Sequence, residues 1–334
     1  MSRPRAQRAL LTLFGLLLVA VAATSLRAAV RHAGPTEHRA AHAEERKVEV
    51  TVDRVSSRDV LFDETFRVRE GGDLTVDLGS ESVTVRTVSG DRARVIVDGR
   101  GHDAASEFQR RRFSARTDGG DLVVRTDPPQ RRWSMNRTDA RFEVTIEIPR
   151  RYSADIDLGS GSVDVASLVG DLRVDVGSGS VRVEDVEGDQ ISLDTGSGSV
   201  QAKTLRGDVT IDTGSGSVSV DRVFGALSVD TGSGSVSVGE VDGETHVDTG
   251  SGGVAMALRR AAASHVSTGS GSVELRLPRG AGFDVDLDGG SVRIDDALGF
   301  SGHRERDEAR GRLGSGGPML TVGTGSGTIR LVTG

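Results

Sequence analysis

Apolar and polar residues alternate along most of this chain, and glycine and serine break the alternation at regular intervals. Val209 and Ile211 alternate with Thr210 and Asp212; Gly214-Ser215-Gly216 follows; Val218 and Val220 then resume the pattern around Ser219. A period of two puts Val209 and Ile211 on one strand face, and Val218 and Val220 on one face of the next strand. Glycine reaches backbone angles closed to other residues, so the chain turns between the strands. The block recurs, ending on Val163, Val181, Val200, Val218, Val236, Val254, Val273 and Val292, in steps of 18 or 19 residues. A last copy ends on Ile329, 37 residues after Val292, and an imperfect one, Gly79-Ser80-Glu81-Ser82-Val83, lies upstream. A strict period of this length predicts a chain that winds, each turn covering the last. Adjacent turns would pair as parallel strands about 4.8 Å apart. The expected fold is all-β: a parallel β-solenoid with 18–19-residue turns and an irregular β-rich N-terminal cap. Gly196, Gly198, Gly214, Gly216, Gly232 and Gly234 mark its repeat turns.

Departures from the pattern divide the chain. Residues 1–28 read as a signal peptide: Arg3, Arg5 and Arg8, an apolar run from Leu10 to Val19, then small residues suited to cleavage. The rival reading is an N-terminal anchor, although the run from Ala9 to Ala23 is shorter than the ~20 residues a membrane helix needs. Residues 29–47 are polar and read as a flexible linker. Residues 48–150 alternate without a clean repeat and form the cap, with a short helix between Asp103 and Phe113 and an irregular loop from Asp127 to Arg137. Residues 151–334 are the regular array, interrupted by a charged, glycine-rich loop at 297–317. The strand Thr328 to Val332 would end the stack. An uncovered terminal strand invites self-association, so either the loop folds back as a cap or this edge docks another chain.

Composition narrows the chemistry. The chain has 45 glycines but one Trp and one Tyr, so its core must be built from Val, Leu and Ile. The formal net charge is −7, and is more negative without the three N-terminal arginines, which argues against nucleic acid. With no cysteine there is no disulfide and no thiolate metal site. The Gly-x-Gly turns are not phosphate loops, because Ser199-Val200-Gln201 opens a strand where a helix or Gly-Lys-Ser/Thr is required. Neither a Gly-x-Ser-x-Gly elbow nor a His-Glu-x-x-His pair occurs. No enzymatic activity and no cofactor are expected. A polysaccharide-acting β-helix is the least favoured reading, because the aromatic platforms such an enzyme uses are missing.

Stacking also sets outward side chains in columns. On the second strand of each turn the charges alternate: Asp164 beside Arg182, Glu184 then Lys203 then Asp221, Glu274 beside Arg293, Arg276 beside Asp295. On the first strand one column reads Asp157, Asp175, Asp194, Asp212, Asp230 and Asp248, followed by Ser267 and Asp286. Like charges about 4.8 Å apart repel. Either each carboxylate accepts hydrogen bonds from its own turn's N–H groups and serines, which is the favoured reading, or cations bind along the ladder. Two residues before Asp248 and Ser267, His246 and His265 share a column, and Asp284 and Asp286 would follow on the next turn. Either these are exposed surface residues in a tolerant column, which is the favoured reading, or the two imidazoles and the Asp248 carboxylate are a metal set for zinc or a similar ion.

The unit Asp-Thr-Gly-Ser-Gly-Ser-Val, at Asp194–Val200, Asp212–Val218 and Asp230–Val236, resembles the bacterial putative-adhesin family, domain of unknown function 4097. The likeness runs over roughly residues 60–334. It implies a β-solenoid in an exported or envelope setting and supplies no catalytic residues. The expected protein is a non-enzymatic exported one, in the periplasm, at the cell surface or outside the cell. It would present a rigid solenoid to an envelope or surface protein or polysaccharide. The alternative is a periplasmic scaffold or part of an envelope-stress sensor.

Overall fold

A computed structural model describes residues 59–126 and 139–334. The signal-like segment, the linker and the whole loop from Asp127 to Arg137 lie outside them. The described chain is a stack of turns, each made of two strands, around one continuous aliphatic core. The first strands of the turns pair in parallel into one wall, and the second strands into another. In the first wall Leu172–Ser178 lies against Tyr152–Leu158, and the series runs on through Leu227–Ser233 and Thr245–Ser251 to Ser264–Ser270. In the second, Val218–Phe224, Val236–Val241, Val254–Leu258 and Val273–Leu277 follow one another. Two strands, Val181–Ser197 and Val200–Ser215, run from the second wall round a corner into the first.

The valines that mark the repeat form the spine of this core. Val83, Val163, Val181, Val200, Val218, Val236, Val254 and Val273 are direct strand partners in turn, each almost fully buried. Opposite them, Val174, Leu193, Ile211 and Val229 form the matching column. Burial of one aliphatic side chain is worth about 1.5–3 kcal/mol. A lone turn has too few to hold itself, so stability comes from stacking.

The turns are not stacked in chain order at either end. After Leu277 the expected neighbour is the turn at 283–294. Instead the last turn, Met319–Thr324 with Thr328–Thr333, lies directly on Ser264–Leu277. The turn at 283–294 lies beyond it. Ile329 therefore follows Val273 in the valine column, and Val292 follows Ile329. The N-terminal end repeats the device. Gly72–Leu78 and Ser82–Val88 pair with Tyr152–Leu158 and Val163–Val169, while Asp121–Thr126 and Arg141–Pro149 lie outside them. The parallel stack thus begins well before residue 151.

Three expectations are corrected by this order. Thr328–Thr333 is not an edge: it is paired on both sides, by Val273–Leu277 and by Ser291–Ile294, so the basis for docking another chain there is removed. Glu274 meets Arg330 rather than Arg293, and the strand partner of Arg276 is Val332 rather than Asp295. The segment 297–317 is more than a loop. A 3-10 turn at Asp296–Leu298 leads into an antiparallel hairpin of Phe300–Arg304 and Glu308–Leu313, which caps the strand Phe283–Asp288. Ala309 and Leu313 of the hairpin are buried, which is why it folds onto the end of the stack.

At the other end, antiparallel strands again close the walls: Arg92–Arg100 and Asp59–Arg67 on one, Phe113–Asp118 on the other. The short helix Ala104–Arg110 is present and packs against Arg92–Arg100. Just past it, Arg111 donates a 2.5 Å hydrogen bond to Glu81, whose carboxylate is almost fully buried and also accepts from the backbone of Ser80. Glu81 is the residue that makes the upstream motif imperfect. It stands where the later copies have glycine, and it pins the helix to the stack.

Candidate functional site

One corner of the stack carries the Asp-Thr-Gly-Ser-Gly-Ser motif, complete at Asp194, Asp212 and Asp230 and varied on other turns, and stacking explains its glycines and its threonine. The motif's first glycines have no room for a side chain: a Cβ on Gly214 would sit 2.7 Å from the carbonyl oxygen of Gly196, and one on Gly232 equally close to Gly214. The motif's second glycines are tighter still. Gly198 is held at φ 152°, and a Cβ on Gly198, Gly216 or Gly234 would overlap the carbonyl of the glycine one turn earlier. Glycine serves here because the preceding turn's backbone passes where a side chain would be.

The threonine has a structural task that the sequence pattern did not reveal. Thr195, Thr213, Thr231, Thr249, Thr268 and Thr324 are all buried. Each hydroxyl donates to a glycine carbonyl of the preceding layer, from Thr195 to Gly179 at 3.1 Å through Thr268 to Gly252 at 3.0 Å. The series Thr–Gly is a second ladder running beside the backbone bonds. Its signal in the sequence was the strict recurrence of threonine before glycine at a position that the alternation places inside.

Beside the threonines runs the aspartate ladder. Asp157, Asp175, Asp194, Asp212, Asp230 and Asp248 are successive strand partners, and Asp77 extends the row at the N-terminal end. Among the described residues, no backbone N–H or serine hydroxyl donates to Asp157, Asp175, Asp194, Asp212 or Asp230. The favoured expectation of local hydrogen bonding is corrected: the corner's N–H groups donate instead to carbonyls of the adjacent turn, as from Gly179 to Ser197 at 2.9 Å and from Gly198 to Ser215 at 3.0 Å. At two rungs, desolvation and the neighbouring carboxylates together favour the protonated form. Partial desolvation, then Asp175 and Asp212, hold the Asp194 carboxyl above the usual carboxylate range. Asp157 is raised in the same way, by desolvation and then by Asp175 and Asp77. An exposed serine column, Ser197, Ser215, Ser233, Ser251 and Ser270, runs parallel to the ladder. Together they form a polar ribbon along the stack.

The charge pairs on the second wall are also in place. Arg182 lies 3.7 Å from Asp164, and Lys203 donates a 2.7 Å hydrogen bond to Glu184. These pairs are exposed and set register more than they add stability.

At one height the ribbon changes character. His246 and His265 are direct strand partners, with rings stacked 5.1 Å apart and inclined by 16°. His246 Nε2 is 2.9 Å from Asp248 Oδ2. One ligating atom from each of His246, Asp248 and His265 lies within 4.8 Å of the others. Asp284 and Asp286 do not join them, because the inserted last turn puts Thr321 and Gly323 next to His265 and Ser267. Asp286 lies one layer further out, where it accepts a hydrogen bond from Arg310 of the capping hairpin. The imidazole pair borders an open groove of about 530 Å³ that also includes Leu227, Ala263, Glu244 and Met319. Among the described residues no helix is long and apolar enough to cross a membrane.

Comparison with solved structures finds several chains to which this one is similar. A crystal structure from Bacteroides fragilis named a putative adhesin is 14% identical; the alignment covers 83% of this chain and 99% of that one, with a TM-score of 0.39. A putative adhesin from Parabacteroides merdae is 11% identical over 81% and 95% of the two chains, with a TM-score of 0.37. A putative lipid binding protein from Parabacteroides distasonis is 12% identical over 81% and 96%, with a TM-score of 0.34. No curated protein matches the chain. The Toastrack DUF4097 family model matches residues 37–332, almost the whole chain, and with the stacked Asp-Thr-Gly-Ser-Gly-Ser turns in view the protein belongs to that family.

Proposed function

We propose that this is an exported, non-enzymatic protein of the cell envelope or surface, whose rigid stack presents a repeating polar face for binding, in the manner of an adhesin. The observation that carries the reading is the ribbon of aspartate and serine columns. The same side chains recur in register on successive turns, at the spacing of paired parallel strands, over a core that fixes them. A periodic, preorganised surface suits an extended partner, a protein or polysaccharide of the envelope, because many weak contacts can be made without ordering cost on this side. A catalytic centre, by contrast, is built once. The signal-like N-terminus supports export.

Exposure of the solenoid on intact cells tests the reading. Cells carrying a C-terminally tagged protein are treated with an impermeant protease, with lysed cells as control. Digestion in intact cells is expected, and places the polar face where a surface partner can reach it. Digestion only after lysis would overturn surface adhesion in favour of a periplasmic scaffold or sensor.

A further inference from the structure

Two histidines on adjacent turns stand out against their own column. The strand partners along it are Arg173, Ser192, Thr210, Ser228, His246, His265 and Thr321. The imidazoles appear where the unbroken run of aspartates ends, since Asp248 is followed by Ser267 and Gly323 before the column returns to Asp288. That layer therefore combines two nitrogen ligands with one carboxylate, and Asp230 on the preceding turn adds negative field. Thiolates are absent from the chain, so imidazole and carboxylate are the only strong ligands it could offer a transition metal.

We propose that His246, His265 and Asp248 bind one divalent transition-metal ion of the zinc type on the outer face of the first wall. Zinc binds imidazole nitrogen and carboxylate oxygen at about 2.0–2.2 Å, which places tetrahedral ligand atoms about 3.3 Å apart. The three ligand atoms already lie within 4.8 Å of one another. All three side chains are at least partly exposed, so rotation about their side-chain bonds closes the set with no movement of the paired backbone. The parallel rings at 5.1 Å suit this, because both nitrogens can turn toward a point between the strands and Asp248. Three protein ligands leave a fourth position. Because all three side chains are at least partly exposed, the ion would be open to water or to a donor group of a bound partner. Calcium is excluded as the natural occupant by the nitrogen ligands, since it takes oxygen.

The test is zinc binding by the full exported chain without a polyhistidine tag, measured by equilibrium dialysis and by calorimetric titration with zinc chloride. His32, His38 and His42 offer imidazoles of their own, so the readout is the difference between proteins. The His246→Ala/His265→Ala double variant is expected to bind one equivalent less than the wild type. Asp248→Asn is expected to weaken that equivalent about tenfold or more. The side chains face solvent, so circular dichroism and the Tm without metal should be unchanged in each variant. An equal stoichiometry in wild type and double variant would overturn the proposal, as would an Asp248→Asn protein that binds as tightly as the wild type. Copper(II) added in place of zinc gives a second readout: the double variant is expected to bind one equivalent less copper than the wild type, with the nitrogen-coupled electron paramagnetic resonance signal reduced by that equivalent, and equal signals would overturn the proposal.

Discussion

Thr324 donates a 2.8 Å hydrogen bond to the carbonyl of Gly271, 53 residues earlier in the chain. The bond continues the threonine–glycine ladder across a break in chain order, with the turn at 283–294 left outside it. The last turn is therefore an interior layer. Removing residues 319–334 should open a gap between two packed layers rather than fray an end. The truncated protein is expected to lose amide-exchange protection over Ser264–Leu277 and Phe283–Ile294 together. Retained protection in Ser264–Leu277 would show that the last turn is dispensable.

A glycine in the stack should differ sharply from a glycine outside it. A Cβ at Gly216 would overlap the carbonyl of Gly198, whereas one at Gly323 meets nothing within 4 Å. Gly216→Ala should cost about 2–3 kcal/mol in urea unfolding, as in other overpacked interiors. Gly323→Ala should change stability by less than about 0.5 kcal/mol. Similar costs for the two would mean that turn flexibility, not close approach, selects glycine.

Neutralising one carboxylate of the ladder should stabilise the protein. Asp194→Asn removes a like-charge neighbour from both Asp175 and Asp212 and is expected to gain about 0.5 kcal/mol at neutral pH. The sign with pH follows from the direction of the shift. Asp194 is raised in the folded protein, so folding binds a proton more tightly, and the penalty is present above the raised value. It is relieved as pH falls through that value toward the ordinary carboxylate range. The advantage of Asp194→Asn should therefore shrink near pH 4. An advantage that grows on acidification would rule out repulsion as its cause.

The core column makes a simpler demand. Ile211 is fully buried between Leu193 and Val229, its partners on the adjacent turns. Ile211→Ala should cost about 2–5 kcal/mol, because stacked strands cannot collapse into the space. Thr195→Val should cost only about 1 kcal/mol: it loses one hydroxyl bond, and Val176 already fills the same column position one turn earlier. The Tm of each variant checks the contrast.

The architecture was legible because the information is periodic. Val163 to Val273 sit in one column, as their spacing requires, and the glycines mark the corners. The order of the terminal turns was not read, although a signal existed. Thr324-Gly325-Ser326-Gly327 keeps the Thr-Gly-Ser-Gly of the corner motif, while Asp288-Gly289-Gly290-Ser291 does not. A Cβ on Gly325 would sit 2.6 Å from the carbonyl of Gly269, so the last turn is the one that can continue the glycine stack. Spacing alone favoured the nearer copy and led Asp284 and Asp286 to be grouped with His265. The adjacency of His246 and His265 could be read because both lie in the unbroken part of the array. The buried role of the threonines could not, since a hydroxyl at an inward position is legible only once its acceptor is known.

The out-of-order turns at the two ends also fix where this protein can change in size. Each end is locked by a turn that returns from beyond its neighbour and by antiparallel strands, on both walls at the N-terminal end and on the first wall at the other. Duplicating a unit at either end would disturb those locks. Duplicating one between Tyr152 and Leu277 would leave both untouched and lengthen the molecule by about 4.8 Å. Reach is thus adjustable from the middle, in increments of one turn, while the terminal structures stay constant.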